Sequence, residues 1–199
     1  MKAVLFAGGW EGHSPIAFSN WCKELLEENN VEVDIFETLK PLENPEKLED
    51  VDLVIPIWSS ARSSHQAEFG NMTKLQEDGL IKLIANGCGL AGWHGHMGDA
   101  FRDRPTYHFL IGGQFVAHPP GWPDNQDPTA DFVHYDVTIC KPDDPITYGI
   151  KSFKLHSEQY YMLVDPSNDV LATTTFSGEH HWWIEGTVMP VAWKRRWDK

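Results

Sequence analysis

The chain has 199 residues, of which 41% are hydrophobic and 23% charged, and its formal net charge is −13. This composition is typical of one ordinary globular domain, which we expect to span residues 1–199. No apolar run reaches the roughly 18 residues that a membrane-crossing helix needs. The apolar start is too short for a signal peptide. The acidic chain also lacks the basic face by which proteins bind nucleic acid or anionic membranes. We therefore expect a soluble cytoplasmic protein with neither kind of partner.

The first half of the chain alternates between strand and helix patterns. Apolar runs predict strands at residues 2–7, 31–36, 51–58 and 89–93. Ser14 and Pro15 have the residue types of an N-cap and a first helical position. Thr73 and Gln76 have the spacing of a capping box at the start of another helix. Apolar strands that alternate with helices predict a three-layer α/β/α fold with a mainly parallel sheet.

Apolar residues recur at helical spacing after Pro15. They predict one apolar helix face, formed by Phe18, Trp21, Cys22, Leu25 and Leu26.

The second half is less regular. Residues 59–70 predict a polar loop with a short helix, residues 99–112 a helix interrupted by Pro105, and residues 119–128 a proline-rich surface loop. Further strands are predicted at residues 114–117, 132–140, 153–163, 170–176 and 188–193.

The three cysteines, Cys22, Cys88 and Cys140, are isolated and lack CxxC spacing, which excludes a disulfide framework or a zinc ribbon. We expect all three to be packing residues. Because Cys88 lies at the start of the fourth predicted strand, far from its carboxyl end, we do not expect it to be a nucleophile.

Chemically active side chains follow three of the predicted strands. In an open parallel sheet, ligands bind outside the carboxyl ends of the strands. His13 follows the first strand, Arg62 the third, and His94 and His96 the fourth. We therefore expect these side chains to converge on one rim.

The segment around His94 is similar to the sharp strand-to-helix turn that exposes a catalytic side chain above a sheet. His94 takes the place of the nucleophile, and Gly95 comes one residue earlier than the second glycine of that turn. The positive end of a helix dipole disfavours imidazolium. A neutral His94 suits a base, a hydrogen-bond donor or a metal ligand rather than a covalent nucleophile.

Several short segments, taken together in their order along the chain, resemble the motifs of a known family. They are residues 87–96, 99–102, 111–119, 158–161 and 189–193, together with Gly8, Gly9, Trp10 and His13 at the start. In this order they resemble the trehalose-utilisation (ThuA-like) family, and the resemblance covers nearly the whole chain.

The resemblance implies a flavodoxin-like sheet similar to that of class I glutamine amidotransferases. It does not imply amidotransfer, because those enzymes carry a cysteine at the turn where this chain has His94. The family is associated with bacterial sugar catabolism, in which a partner dehydrogenase oxidises disaccharides to 3-keto sugars. Two features depart from relatives: Asp144 precedes Pro145 where they often have His-Pro, and the chain stops at Lys199 where they usually continue.

Two further candidates lie in the second half. His118 follows a short predicted strand, and Glu158 lies beside Gln159 and Tyr160 in a partly apolar one. A carboxyl group in such surroundings can have a raised pKa and act as acid or base. The two histidines and two tryptophans at residues 180–183 either pack within a loop or stack on a sugar ring.

We expect an enzyme of carbohydrate catabolism that acts on a sugar or 3-keto sugar by proton transfer next to a carbonyl group. The predicted catalytic residues are His94, Glu158 and His118. Either His94 or Glu158 is the base, and a histidine or Arg62 stabilises the oxyanion. The predicted substrate-binding residues are Trp10, His13, Trp58, Arg62, His96 and Tyr160. Because the rim has no lysine cluster and no phosphate loop, the expected ligand is a neutral sugar.

Two alternatives stay open. His94, His96 and His118, with Glu158, have the ligand chemistry for a divalent metal such as zinc. A non-catalytic sugar-binding or regulatory module on an amidotransferase-like fold is the other alternative. The sequence determines neither the cofactor nor the exact substrate, and it is compatible with a homo-oligomer.

Overall fold

The computed structural model describes residues 1–59, 71–119 and 132–197. The chain divides into two compact units, which we call unit 1 (Met1–Ile111, with Trp197) and unit 2 (Gly112–Arg196). The expectation of a single domain over residues 1–199 stays a prediction. Arg62 and most of the two predicted loops at residues 59–70 and 119–128 lie outside the described residues.

Unit 1 contains a parallel sheet of four strands, as the apolar runs predict. In chain order they are β1 (Lys2–Gly9), β2 (Glu32–Phe36), β3 (Leu53–Ser59) and β4 (Gly89–Leu90). Their order in the sheet is β2-β1-β3-β4. The fourth strand has only two residues instead of the expected five, because the chain leaves the sheet after Ala91 donates a last hydrogen bond to the carbonyl oxygen of Val54.

Both faces of this sheet are covered by apolar side chains. Val4 and Phe6 point into one buried cluster, whereas Ala3 and Leu5 point into another. Successive strand residues point to opposite faces, so β1 is buried on both sides, as expected of a parallel sheet.

The helices of the described part of unit 1 begin where local signals place them, with two corrections. They are α1 (Pro15–Glu28), α2 (Lys74–Ala85), α3 (His94–Met97) and α4 (Pro105–Ile111). The predicted capping box is present, since Thr73 and Gln76 each accept from the other's backbone N–H. Ser14 makes no side-chain cap, because its backbone is left-handed with φ 48°. Pro105 begins α4 rather than interrupting a longer helix, because proline suits the first turn, where no intrahelical N–H donor is needed.

The apolar face of α1 is only partly buried. Cys22 is buried and Leu26 packs against the sheet, but Phe18, Trp21 and Leu25 are exposed. The buried stripe instead begins at Pro15 and Ser19 and continues through Cys22. The sheet therefore contacts a narrower stripe, rotated away from the centre of the apolar face.

Unit 2 is antiparallel, so the expected parallel sheet is found in unit 1 and not in this less regular half of the chain. Its strands are β5 (Gly113–Ala117), β6 (Phe132–Ile139), β7 (Phe153–Glu158), β8 (Tyr161–Val164), β9 (Asp169–Thr175) and β10 (Val188–Lys194). Four of them form a sheet in the order β10-β9-β6-β7, and β5 pairs with β8. The predicted strand at residues 153–163 is divided at Gln159 and Tyr160, where the chain passes from one sheet to the other.

The cysteine predictions are confirmed for two residues of three. Cys22 and Cys88 are buried free thiols, whereas Cys140 is exposed. Cys140 follows the end of β6, beyond the strand residues that pack in the core. Within residues 1–59, 71–119 and 132–197, we find no helix with the length and apolarity to cross a membrane.

Candidate functional site

The strand order of unit 1 creates a crevice between β1 and β3. The chain moves from β1 to β2 on one side and then crosses to β3 on the other, so the switch point lies between β1 and β3. Ligands bind at such switch points, outside the carboxyl ends of the strands. Gly9 pairs with Ser59 at this end, and a Cβ on Gly9 would lie 2.0 Å from the Ser59 carbonyl oxygen. Glycine with φ +83° is therefore required here.

A hydrogen-bonded chain of side chains bridges the two strand ends. The Nδ1 atom of His13 lies 2.5 Å from the Ser59 hydroxyl oxygen, and this hydroxyl donates to the Gly95 carbonyl oxygen at 3.1 Å. A hydroxyl has one proton and a carbonyl oxygen can only accept. With both bonds made, His13 must donate from Nδ1, so Nε2 is the basic nitrogen of its neutral ring.

His94 lies beside His13 in a strained backbone conformation. Its φ is 51°, a left-handed value that is uncommon for a residue other than glycine. The ring centroids of His94 and His13 are 5.1 Å apart. Unit 1 thus places the exposed imidazole of His94 next to that of His13, at the turn where the sequence predicts it.

His96 lies beneath these two rings and is only 2% exposed. Its Nε2 lies 2.8 Å from the His13 carbonyl oxygen, so this nitrogen carries the proton. Burial lowers the pKa of His96, and the charge of His94 lowers it further, against the effect of the bond to His13. A neutral, buried His96 therefore holds the His13 backbone in place, rather than facing a ligand as expected.

A cleft of about 470 Å³ opens at the same strand ends, and its lining includes the next residue after His13, Ser14, but neither His13 nor His94. Trp58 lines it and is buried against Gly8, and the carboxylates of Glu11 and Glu37 line it from the ends of β1 and β2. Trp10 lies against His13, with ring centroids 4.9 Å apart.

Unit 2 holds the remaining predicted residues. The Nε2 atom of His118 lies 3.6 Å from Oε1 of Glu158. The His118 ring packs against Tyr160 and Phe115, with centroids 5.0 and 4.8 Å away. The hydroxyl of Tyr135 donates to the Glu158 carbonyl oxygen, and burial, followed by the Glu158 charge, raises the pKa of Tyr135. The result is a histidine–carboxylate pair with aromatic walls.

Ser59 is a site residue that sequence reasoning missed. It is a buried hydroxyl that ends an apolar strand directly after Trp58. A polar residue at that position is a usable signal, although its partners His13 and Gly95 are distant in the sequence. Across the described residues, no group of three or more His, Cys, Asp or Glu side chains is arranged to hold a metal ion. The metal set of His94, His96 and His118 stays a prediction.

Comparison with known proteins identifies a family and similar solved structures. The family model described as ThuA, trehalose utilisation, matches residues 2–199. The crystal structure of a ThuA-like protein from Bacteroides uniformis is similar to this chain with a TM-score of 0.71 and 18% identity, over 98% of this chain and 77% of that one. No curated protein sequence matches. At this identity the structural similarity concerns the fold alone, whereas the family match spans nearly the whole sequence.

Proposed function

The chain belongs to the ThuA family of trehalose utilisation and is thereby related to carbohydrate metabolism; from this premise we propose that it is an enzyme that converts a sugar or 3-keto sugar by acid–base chemistry. The apolar clusters on both faces of the parallel sheet support the three-layer, flavodoxin-like arrangement that such a site requires. The partner is a small neutral sugar, not a nucleic acid or a membrane.

The bridge from His13 through Ser59 to Gly95 carries the proposal. It aligns a proton on Nδ1 of His13 and leaves Nε2 as the base. A base removes a proton best at physiological pH when its own pKa lies near neutral. Histidine is the side chain type whose ordinary pKa is closest to neutral.

The reaction step is proton transfer at the carbon next to a ketone. The C–H bond breaks, its proton moves to Nε2 of His13, and the electron pair forms a carbon–carbon double bond while the carbonyl π electrons move to oxygen. His94 donates a hydrogen bond to this enolate oxygen, which is the interaction that lowers the barrier. Return of a proton from His13 to carbon regenerates the ketone.

The cleft at these strand ends suits a neutral sugar better than a phosphorylated one. Its charged lining residues, within the part of the chain that the structure describes, are the carboxylates Glu11 and Glu37. Carboxylates accept hydrogen bonds from sugar hydroxyl groups but repel phosphate. The indole of Trp58 supplies an apolar wall for a sugar ring.

Deuterium exchange tests this proposal directly. A 3-keto disaccharide is incubated with the protein in D₂O, and loss of the proton next to the carbonyl group is followed by NMR. We expect exchange with the native protein and a loss of 100-fold or more with His13→Gln, because a base contributes about 10²–10⁴ in rate. His156→Gln, at an exposed histidine of β7, is the matched control.

The same assay distinguishes the proposed enzyme from two alternatives, a non-catalytic module and an enzyme that uses the His118–Glu158 pair. Sugar binding without exchange would identify a non-catalytic sugar-binding module and overturn the enzyme. Loss of exchange in Glu158→Gln, with His13→Gln unaffected, would transfer the chemistry to the His118–Glu158 pair of unit 2.

A further inference from the structure

Unit 2 contains a second cleft, of about 310 Å³, whose lining includes the chain neighbours of His118 and Glu158 but not those two residues themselves. Its lining combines aromatic, imidazole and amide side chains. The lining residues are Pro119, Phe132, Val133, His134, Gln159, Phe176, Ser177, Gly178, Glu179, His180, His181 and Ile184. None of the proposed acid–base chemistry uses these residues.

One wall of this cleft is a well-anchored loop between β9 and β10. Phe176 donates from its backbone N–H to the Thr187 carbonyl oxygen, and Gly186 donates to that of Phe176, both at 3.0 Å. Ile184 is buried in the core of unit 2. A Cβ on Gly178 would lie 2.6 Å from Cβ of Glu185, so the loop is closely packed on itself. Its side chains are therefore presented from a fixed backbone.

This loop presents aromatic rings to solvent at the edge of the cleft. His181 lines the cleft and packs on Trp183, with ring centroids 4.4 Å apart and an interplanar angle of 32°. The indole of Trp183 is 57% exposed. Exposed aromatic side chains that lie together beside a cleft are candidates for a ligand-binding surface.

The floor of the cleft has a fixed hydrogen-bonding group. Gln159 is only 5% exposed, and its Nε2 donates to the hydroxyl of Thr174 at 2.8 Å and to the carbonyl oxygen of Thr175 at 3.5 Å. Both amide protons are thus used, which fixes the carboxamide and leaves Oε1 as an acceptor. His134 and His180 add groups that can donate or accept.

The lining chemistry selects one class of ligand. Glu179 is the charged carboxylate of the described lining, and no Lys or Arg is among those residues, so an anion is disfavoured. Fixed polar groups combined with a pair of packed, tilted aromatic rings suit a ligand that has both hydroxyl groups and an apolar face. We propose that this cleft is a second carbohydrate-binding site, in which a neutral sugar ring stacks on the His181–Trp183 pair and hydrogen-bonds to Gln159. The proposal rests on unit 2 alone and stands whether or not unit 1 is catalytic.

Calorimetric titration of the full chain with trehalose and with glucose tests it. We expect binding that weakens tenfold or more in His181→Ala and in Trp183→Ala, two substitutions at the surface of the loop. Trp21→Ala is the matched control, because Trp21 is 54% exposed on α1 of unit 1. His13→Gln should retain this binding while losing deuterium exchange, which distinguishes the second site from the proposed active site.

Three results would overturn the proposal. They are the absence of sugar binding, an equal effect of Trp21→Ala and Trp183→Ala, and competition by inorganic phosphate at the concentration at which the sugar binds.

Discussion

Gly95→Ala adds a single methyl group at a point where the His13–Ser59–Gly95 bridge is tightly packed. The new Cβ would lie 2.2 Å from Cε1 and 2.8 Å from Nδ1 of His13. Carbon atoms in contact are normally about 3.5–4.0 Å apart. The His13 ring must therefore move by about 1.5 Å, which breaks its 2.5 Å contact with Ser59.

The cost in stability is small because the loss of one side-chain hydrogen bond and the gain in helix propensity nearly cancel. Loss of one hydrogen bond costs about 0.5–1.5 kcal/mol. Alanine is favoured over glycine in a helix by up to about 1 kcal/mol, and Gly95 lies in α3 with a φ outside the left-handed region. We expect the free energy of unfolding to change by less than about 1 kcal/mol.

The cost in activity is large, because a displacement of about 1 Å can reduce a rate by about 10²-fold. The assay pairs deuterium exchange on a 3-keto disaccharide with urea denaturation of the same preparation. Gly89→Ala is the control, since its Cβ would lie 3.4 Å from its nearest neighbours, an ordinary contact. Native exchange rates in Gly95→Ala would refute the role assigned to the His13 bridge.

Three further outcomes follow from the same geometry. His94→Ala should keep the fold, since His94 is exposed, and should lose exchange; unfolding of the variant or an unchanged rate would contradict this. Alkylation should label the exposed Cys140 quickly and Cys88 slowly, because burial, with the charge of Asp52, raises the pKa of the Cys88 thiol to about 11. Cys88→Ser should retain activity. Rapid inactivation by alkylation of Cys88 would instead indicate that Cys88 is a nucleophile. Burial lowers the folded-state pKa of His96, so the stability gained from its neutral form is complete above the unfolded pKa of about 6.5 and is lost as pH falls through the folded pKa. Urea denaturation at pH 7 and pH 5 should show this loss, and His96→Gln should reduce it; an identical pH dependence in the variant would exclude His96 as its source.

Local patterns in the sequence were sufficient for the parts of the fold that depend on near neighbours. The capping box of Thr73 and Gln76 joins residues three apart, and the first three strands are short apolar runs with clear ends. The position of His94 at a turn after a strand also follows from its flanking glycines. The family could be recognised because its motifs keep their order along the chain.

Other features depend on which surfaces meet, and spacing alone does not determine them. The stripe of α1 that contacts the sheet is set by the helix's rotation on β1, β2 and β3, which leaves Phe18 and Trp21 exposed. The antiparallel pairing of unit 2 arises from connections between strands whose apolar patterns do not encode direction.

The features of the candidate active site likewise fall into those that the local sequence predicts and those that depend on tertiary contacts. The sequence by itself determined that histidines follow the strands of a parallel sheet, because residue type and strand periodicity are local properties. Only the tertiary structure decided that His13 meets Ser59, 46 residues away, and that His96 is buried beneath them. The physical reason is the crossover in strand order, which makes β1 and β3 neighbours and brings their carboxyl ends within hydrogen-bonding distance.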